Sequence, residues 1–268
     1  GNRLLESGRT ADAEARYAEA FRRYPTAVAA AVNLGYTRLQ QGRLDDASDA
    51  LEHALRLEAE NVDALLMLGT IALERGEAPV AVERLEATLR LRPGFATAYA
   101  PLVRALVAAD RQDAARHAVN DGLHIDPHSA ELHFLRGNLM RIAAAHDTAI
   151  GAYRAALAAE PRLLEARIAL ATLLIDAGEF GEAREHLEQA LAQYPPSAKL
   201  CAQLGDGLLA LGLVDSACVA YDMALAHDPG HAPTLLNLNI AESLRGRIEA
   251  ARDAAKKVTE VAPERVEG

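Results

Sequence analysis

Tryptophan is absent from the 268 residues, and aromatic residues make up only 4% of them. The β-branched and aromatic enrichment that marks strands is therefore missing. Ala, Leu, Glu and Arg dominate instead, and all are strong helix formers, so the composition reads as all-α. Two cysteines, Cys201 and Cys218, are too few for a disulfide scaffold and are expected as two buried free thiols. Positive charge is scarce. Lys and Arg number 28 against 38 Asp and Glu, for a net charge of −10 and a pI near 5.4. That balance argues against nucleic acid, which requires a basic face for its phosphates, and against an anionic membrane surface. No apolar run approaches the length needed to span a bilayer. The chain starts at Gly1 and reads as a piece of a longer protein, with neither end carrying an obvious cap.

What the sequence has is a period. Pro25, Pro93, Pro127, Pro161, Pro195, Pro229 and Pro263 lie 34 residues apart, with Ala59 in the vacant slot. Ala13, Ala47, Ala81, Ala115, Ala149, Ala183, Ala217 and Ala251 keep the same spacing without exception. A glycine column, Gly8, Gly42, Gly76, Gly178, Gly212 and Gly246, is broken only by Asp110 and Ala144. A small-residue column runs through Gly1, Gly35, Gly69, Gly137, Ala171 and Gly205. Periods of this length mark repeat architectures.

Each column has a physical cause. In residues 62–95, Leu65, Leu68 and Ala72 fall at helix-face spacing. Gly76 ends that helix, because a left-handed cap costs glycine little. Pro79 opens a second helix, where its missing N–H is harmless, and Ala81, Leu85 and Thr88 form its inward face. Small residues midway along the first helix face the alanine column and permit close approach, with Leu34, Leu68, Leu204, Leu51, Leu85 and Tyr221 filling the space beside them.

The pattern Leu68-Gly69, Ala81 to Leu85 and Pro93, repeated as Leu204-Gly205, Ala217 to Tyr221 and Pro229, resembles the tetratricopeptide repeat family. The resemblance covers essentially the whole chain, as one array: a partial repeat at 1–27, then seven full repeats at 28–61, 62–95, 96–129, 130–163, 164–197, 198–231 and 232–265. It implies a right-handed superhelical solenoid of antiparallel helix pairs, non-catalytic, which binds a protein or peptide segment along a concave groove lined by the first helices. Helix geometry puts Val32, Tyr36, Leu66, Thr70, Leu73, Arg104, Val107, Phe134, Asn138, Arg141, Ile168, Thr172 and Ile175 on that face, and Asn33 falls where some relatives place a ligand-binding asparagine. The face continues through Ala202, Asp206, Leu209, Leu236, Ile240 and Ser243. These residues read equally as packing between neighbours and as a binding stripe.

Two binding modes of the family do not carry over. A carboxylate clamp needs Lys and Arg where Asp63 and Met67 stand, and an asparagine ladder is broken by Met67, Pro101, Leu135, Ala169 and Gln203. The middle repeats are the most irregular. Pro101 sits within a first helix and is expected to bend it, while His133, Arg136 and Arg167 replace apolar residues. With Arg104, Asn138 and Arg141 nearby, this segment is read either as an anchor for an acidic group or as drift, its arginines paired with Glu131 and Glu165. His124, His128 and His133 are interrupted by Asp126-Pro127, which removes metal-binding geometry. A loose glycine fingerprint at Gly205-Asp206-Gly207 lacks a preceding strand. No cofactor, metal or catalytic group is expected. Alternative readings are a rigid spacer in an envelope export or assembly machine, the substrate-recruiting region of a glycosyltransferase or sulfotransferase, and self-association through the end repeats.

Overall fold

The structure is a computed structural model that describes residues 3–4, 8–193 and 197–261. Gly1, Asn2, Pro195 and Pro263 lie outside the described residues. Among the described residues every regular element is helical: fifteen α-helices and one 3-10 turn, with no strand. α1 (Thr10–Arg23) is the second helix of the partial repeat. Full pairs follow: α2 (Val28–Gln40) with α3 (Leu44–Leu57), α4 (Val62–Glu74) with α5 (Ala78–Leu91), and α6 (Tyr99–Ala108) with α7 (Gln112–Ile125). Next come α8 (Ala130–Ile142) and α9 (His146–Ala159), α10 (Leu164–Asp176) and α11 (Phe180–Ala192), α12 (Ala198–Ala210) and α13 (Val214–His227), and α14 (Ala232–Leu244) and α15 (Ile248–Val261). The chain forms two compact units, Gly1–Leu139 and Met140–Gly268, with their boundary inside α8. In both, the two helices of a repeat pack on each other and then on the next pair.

The turn within each pair is built the same way. After α4, the Gly76 amide donates to Leu73 O (3.1 Å) and the Glu77 amide to Ala72 O (2.8 Å), the paired bonds of a Schellman cap. The capping residue has a positive φ, 75° at Gly76. Asp110 and Ala144 hold the same conformation at φ 56° and 54°, and Arg111 N to Leu106 O (2.8 Å) and Ala145 N to Met140 O (2.9 Å) complete equivalent caps. The two breaks in the glycine column are thus breaks in residue type and not in geometry. They leave two L-residues in a region that disfavours a Cβ.

Close approach explains the small-residue column. A Cβ built on Gly205 would lie 2.4 Å from Tyr221 Cε1, and one on Gly35 would lie 2.5 Å from Leu51 Cγ. Tyr221 and Leu51 are fully buried, and burying a side chain of that size contributes about 1.5–3 kcal/mol. In unit 1 the core runs through Ala31, Ala47, Leu51, Ala54, Leu65, Leu68 and Ile71, with Val32 and Leu39 packed against it.

Two irregularities of the middle repeats have local explanations. The first helix of the fourth repeat carries Pro101 close to its start. It begins as a 3-10 turn, Ala96–Ala98, and becomes α-helical only at Tyr99. Pro101 therefore sits in the first turn of α6, where no intrahelical N–H is required. The polar residues at the fourth position of successive first helices share one task. Tyr99 Oη donates to Pro93 O at 2.9 Å, His133 Nε2 meets Pro127 O at 2.9 Å, and the Arg167 guanidinium donates to Pro161 O. Each bond spans six residues and ties the first helix to the carbonyl of the repeat-ending proline before it. His133 and Arg167 are thereby accounted for as structural residues.

Candidate functional site

In unit 1 the first-helix face is shaped by α2 and by the turn that joins α3 to α4. Asn61 caps α4: its Oδ1 accepts from Ala64 N at 3.0 Å, and its Nδ2 donates to Glu58 Oε2 at 2.9 Å. The capped turn and the N-terminal half of α2 border an open recess of about 410 Å³ lined by Val28, Ala29, Val32, Asn33, Glu58, Asn61 and Asp63. Two expected residues, Val32 and Asn33, are brought together there. Tyr36, one turn further along α2, is 40% exposed. Leu66, Thr70 and Leu73 are half-buried along α4, and the Thr70 hydroxyl is engaged with Leu66 O at 3.0 Å. Arg104 and Val107 are exposed on α6.

Electrostatics divide the expected site further. Arg104 pairs with Glu131 at 2.5 Å, both side chains about half exposed, so its charge is already met. Phe134 and Asn138 on α8 are half-buried and engaged with neighbours. Within unit 2, Arg141 lies against Tyr153. Burial pushes that phenol's pKa up, and the Arg141 hydrogen bond works in the opposite direction. Ile168 is only 3% exposed and belongs to the packing of α10. Thr172 is exposed with its hydroxyl turned back on Ile168 O at 2.9 Å, and Ile175 is half-buried. The first-helix face of unit 2 also carries Asp206, whose Oδ1 accepts from Tyr221 Oη at 2.9 Å and from Asn237 Nδ2 at 2.7 Å.

Cys201 and Cys218 are buried thiols on α12 and α13, and burial raises the pKa of each. A thiol held protonated is a poor nucleophile. Sequence reasoning missed the walls of the recess. Glu58 and Asn61 come from the turn between repeats, so a helix-face pattern does not point to them; the signal that could have found them is the Asn61 cap position three residues before Ala64.

The 34-residue helix pairs, the repeated left-handed cap and the close small-residue contacts describe one repeated module. Family models described as tetratricopeptide repeat match residues 1–62, 36–94, 72–139, 142–204 and 174–218. The chain belongs to the tetratricopeptide repeat family. Proteins of this family generally mediate protein–protein interaction, and arrays built of this repeat alone are typically non-catalytic scaffolds. Among solved structures, the tetratricopeptide repeat chain is similar to TTC0263, a thermophilic protein of Thermus thermophilus (28% identity, 68% of this chain and 100% of that one, TM-score 0.57). It shares its fold with a tetratricopeptide repeat protein from Parabacteroides merdae (19% identity, 90% and 95% covered, TM-score 0.70). It also shares it with YrrB, described as a tetratricopeptide repeat protein with an unusual peptide-binding site (19% identity, 68% and 94% covered, TM-score 0.54). No curated protein matches the chain.

Proposed function

We propose that this tetratricopeptide repeat protein binds a peptide segment of a partner protein on the first-helix face of unit 1, with one partner side chain seated in the recess beside Asn33. The observation that carries this reading is the recess itself, with Val28 and Val32 on its wall and Asn33, Glu58, Asn61 and Asp63 as its polar groups. Asn33 is half-buried on the same helix as the exposed Tyr36. An aromatic ring beside a concave, partly apolar wall is a common way to anchor an extended chain. The lining includes two carboxylates and no base, so a partner's terminal carboxylate is disfavoured there. YrrB gives the reading a precedent in the fold alone.

Peptide capture tests it. A display library of seven-residue segments is selected on the intact chain, and the enriched peptides are titrated against Asn33→Ala and Tyr36→Ala. Loss of about tenfold or more in affinity with an unchanged helical circular-dichroism signal supports the reading; removal of a central aromatic anchor commonly costs that much. Enriched peptides that bind both variants as tightly as the parent chain would refute it.

A further inference from the structure

In unit 2 the turns between first and second helices carry apolar side chains: Ile142 at the first, Phe180 at the second, Leu211 and Leu213 at the third, and Leu244 and Ile248 at the fourth. Ile142, Phe180, Leu244 and Ile248 are 49%, 57%, 66% and 75% exposed, and Leu211 and Leu213 are half-buried. Within unit 2, α9 packs on α10, α10 on α12 and α12 on α14, so the four turns follow one another along a single edge. Exposed apolar side chains gathered along one edge point to an interaction surface.

The spacing and the charge of this edge describe its occupant. Packed helices lie about 8–10 Å apart, so successive turns meet a partner at roughly that interval. An α-helix rises about 10.5 Å in seven residues, so a helix laid along the edge presents one apolar residue to each turn when its apolar residues recur every seven. The rim is acidic. Asp147, Asp176, Glu179 and Glu249 are exposed and have no ion-pair partner among the described residues. Among the bases on this edge, Arg245 pairs with Asp215 at 2.8 Å and with Glu242 at 3.1 Å, and the exposed Arg247 stands 4.0 Å from the same Glu242. The geometry points to a second docking surface on unit 2, distinct from the recess of unit 1, whose occupant is an amphipathic helix of a partner protein with Lys or Arg flanking a heptad-spaced apolar face.

The test uses the intact chain and two fluorescein-labelled model helices of three heptads each, identical in their leucines and flanked by Lys in one and by Glu in the other. Fluorescence anisotropy is expected to show binding of the Lys helix and at least about tenfold weaker binding of the Glu helix. The triple variant Phe180→Ser, Leu244→Ser and Ile248→Ser is expected to bind the Lys helix about tenfold more weakly or worse, in proportion to the apolar area removed. The double variant Asp176→Asn and Glu179→Gln leaves every apolar residue in place and is expected to weaken binding about two- to fivefold, in a salt-dependent manner. Tyr36→Ala is expected to have no effect, which separates this surface from the recess. Equal binding of both helices, or undiminished binding by the triple and double variants, overturns the proposal. Sedimentation velocity provides a further check: a parent dimer that the triple variant converts to a monomer would assign the edge to a second copy of this chain and overturn it as well.

Discussion

Gly205→Ala adds one methyl group at the tightest helix–helix contact described, and its effect can be worked out from its neighbours. The new Cβ would lie 2.4, 2.6 and 2.9 Å from Tyr221 Cε1, Cδ1 and Cζ. The ring is fully buried, and its hydroxyl is tied to Asp206 Oδ1 at 2.9 Å, so it cannot withdraw without stretching that bond. Overpacking of this kind costs about 1–3 kcal/mol, and a strained hydrogen bond to a carboxylate adds up to about 1.5–3 kcal/mol. Against this, Ala in place of Gly favours the helix by about 1 kcal/mol. The net expectation is a loss of about 2 kcal/mol, read by urea denaturation followed at 222 nm. Because repeat stability is largely nearest-neighbour, hydrogen exchange should show the loss concentrated in α12 and α13. The chain supplies its own control: the preceding repeat places Ala171 opposite Leu187, both fully buried. Gly205→Ala combined with Tyr221→Leu should therefore lose less than the sum of the two single changes, with a coupling of at least about 1 kcal/mol. A neutral or stabilising Gly205→Ala would refute the reasoning.

Ala144→Gly should stabilise the chain by about 0.5–1 kcal/mol, since relief of a left-handed alanine, about 1–2 kcal/mol, exceeds the entropy that glycine returns to the unfolded state; thermal denaturation checks it, and Gly178→Ala should move the other way. Arg167→Leu should be within about 1 kcal/mol of neutral, because its Nε is buried without a partner, its acceptors belong to the exposed Pro161 and Gln189, where water can replace it, and Leu65 and Leu235 fill the same column; a loss above about 3 kcal/mol in urea would contradict this. Burial, with Arg167 and Arg154 adding repulsion, holds the His186 pKa below its ordinary 6.5 despite the Glu182 hydrogen bond. The folded state then binds fewer protons than the unfolded state between the depressed value and 6.5, so stability should fall as pH drops through that window. Melting temperature followed from pH 7.5 to 5 should show the decline, and His186→Gln should flatten it.

The repeat phase was legible because each column stands for one recurring contact or torsion. Ala13 through Ala251 meet a neighbouring helix, and Gly42 or Gly76 turns the chain. What the sequence obscured was identity without conformation. Asp110 and Ala144 keep a glycine's torsion, and Pro101 falls in the first turn of its α-helix. His133 and Arg167 stood out because they break an apolar column, in a segment readable as an anchor or as drift, and each reaches a proline carbonyl only six residues away. Arg104 could be assigned to Glu131 or to a partner from the sequence alone, and only side-chain placement joined it to Glu131. The recess of unit 1 was out of reach for a different reason: its walls come from the end of one repeat and the start of the next, and no periodic pattern links them.

The caps that close every helix pair have a consequence for how such a chain changes length over time. Gly42, Gly76, Asp110, Ala144, Gly178, Gly212 and Gly246 share one backbone torsion at one interval. A genetic crossover that joins the segment ending at one of them to the segment following another removes or inserts a whole repeat and leaves every turn with the torsion it already had. Only the side chains that meet across the new junction must readjust. Tandem duplication and loss are then structurally mild events for this chain, whereas an insertion of any other length would fall out of phase with the caps on both sides.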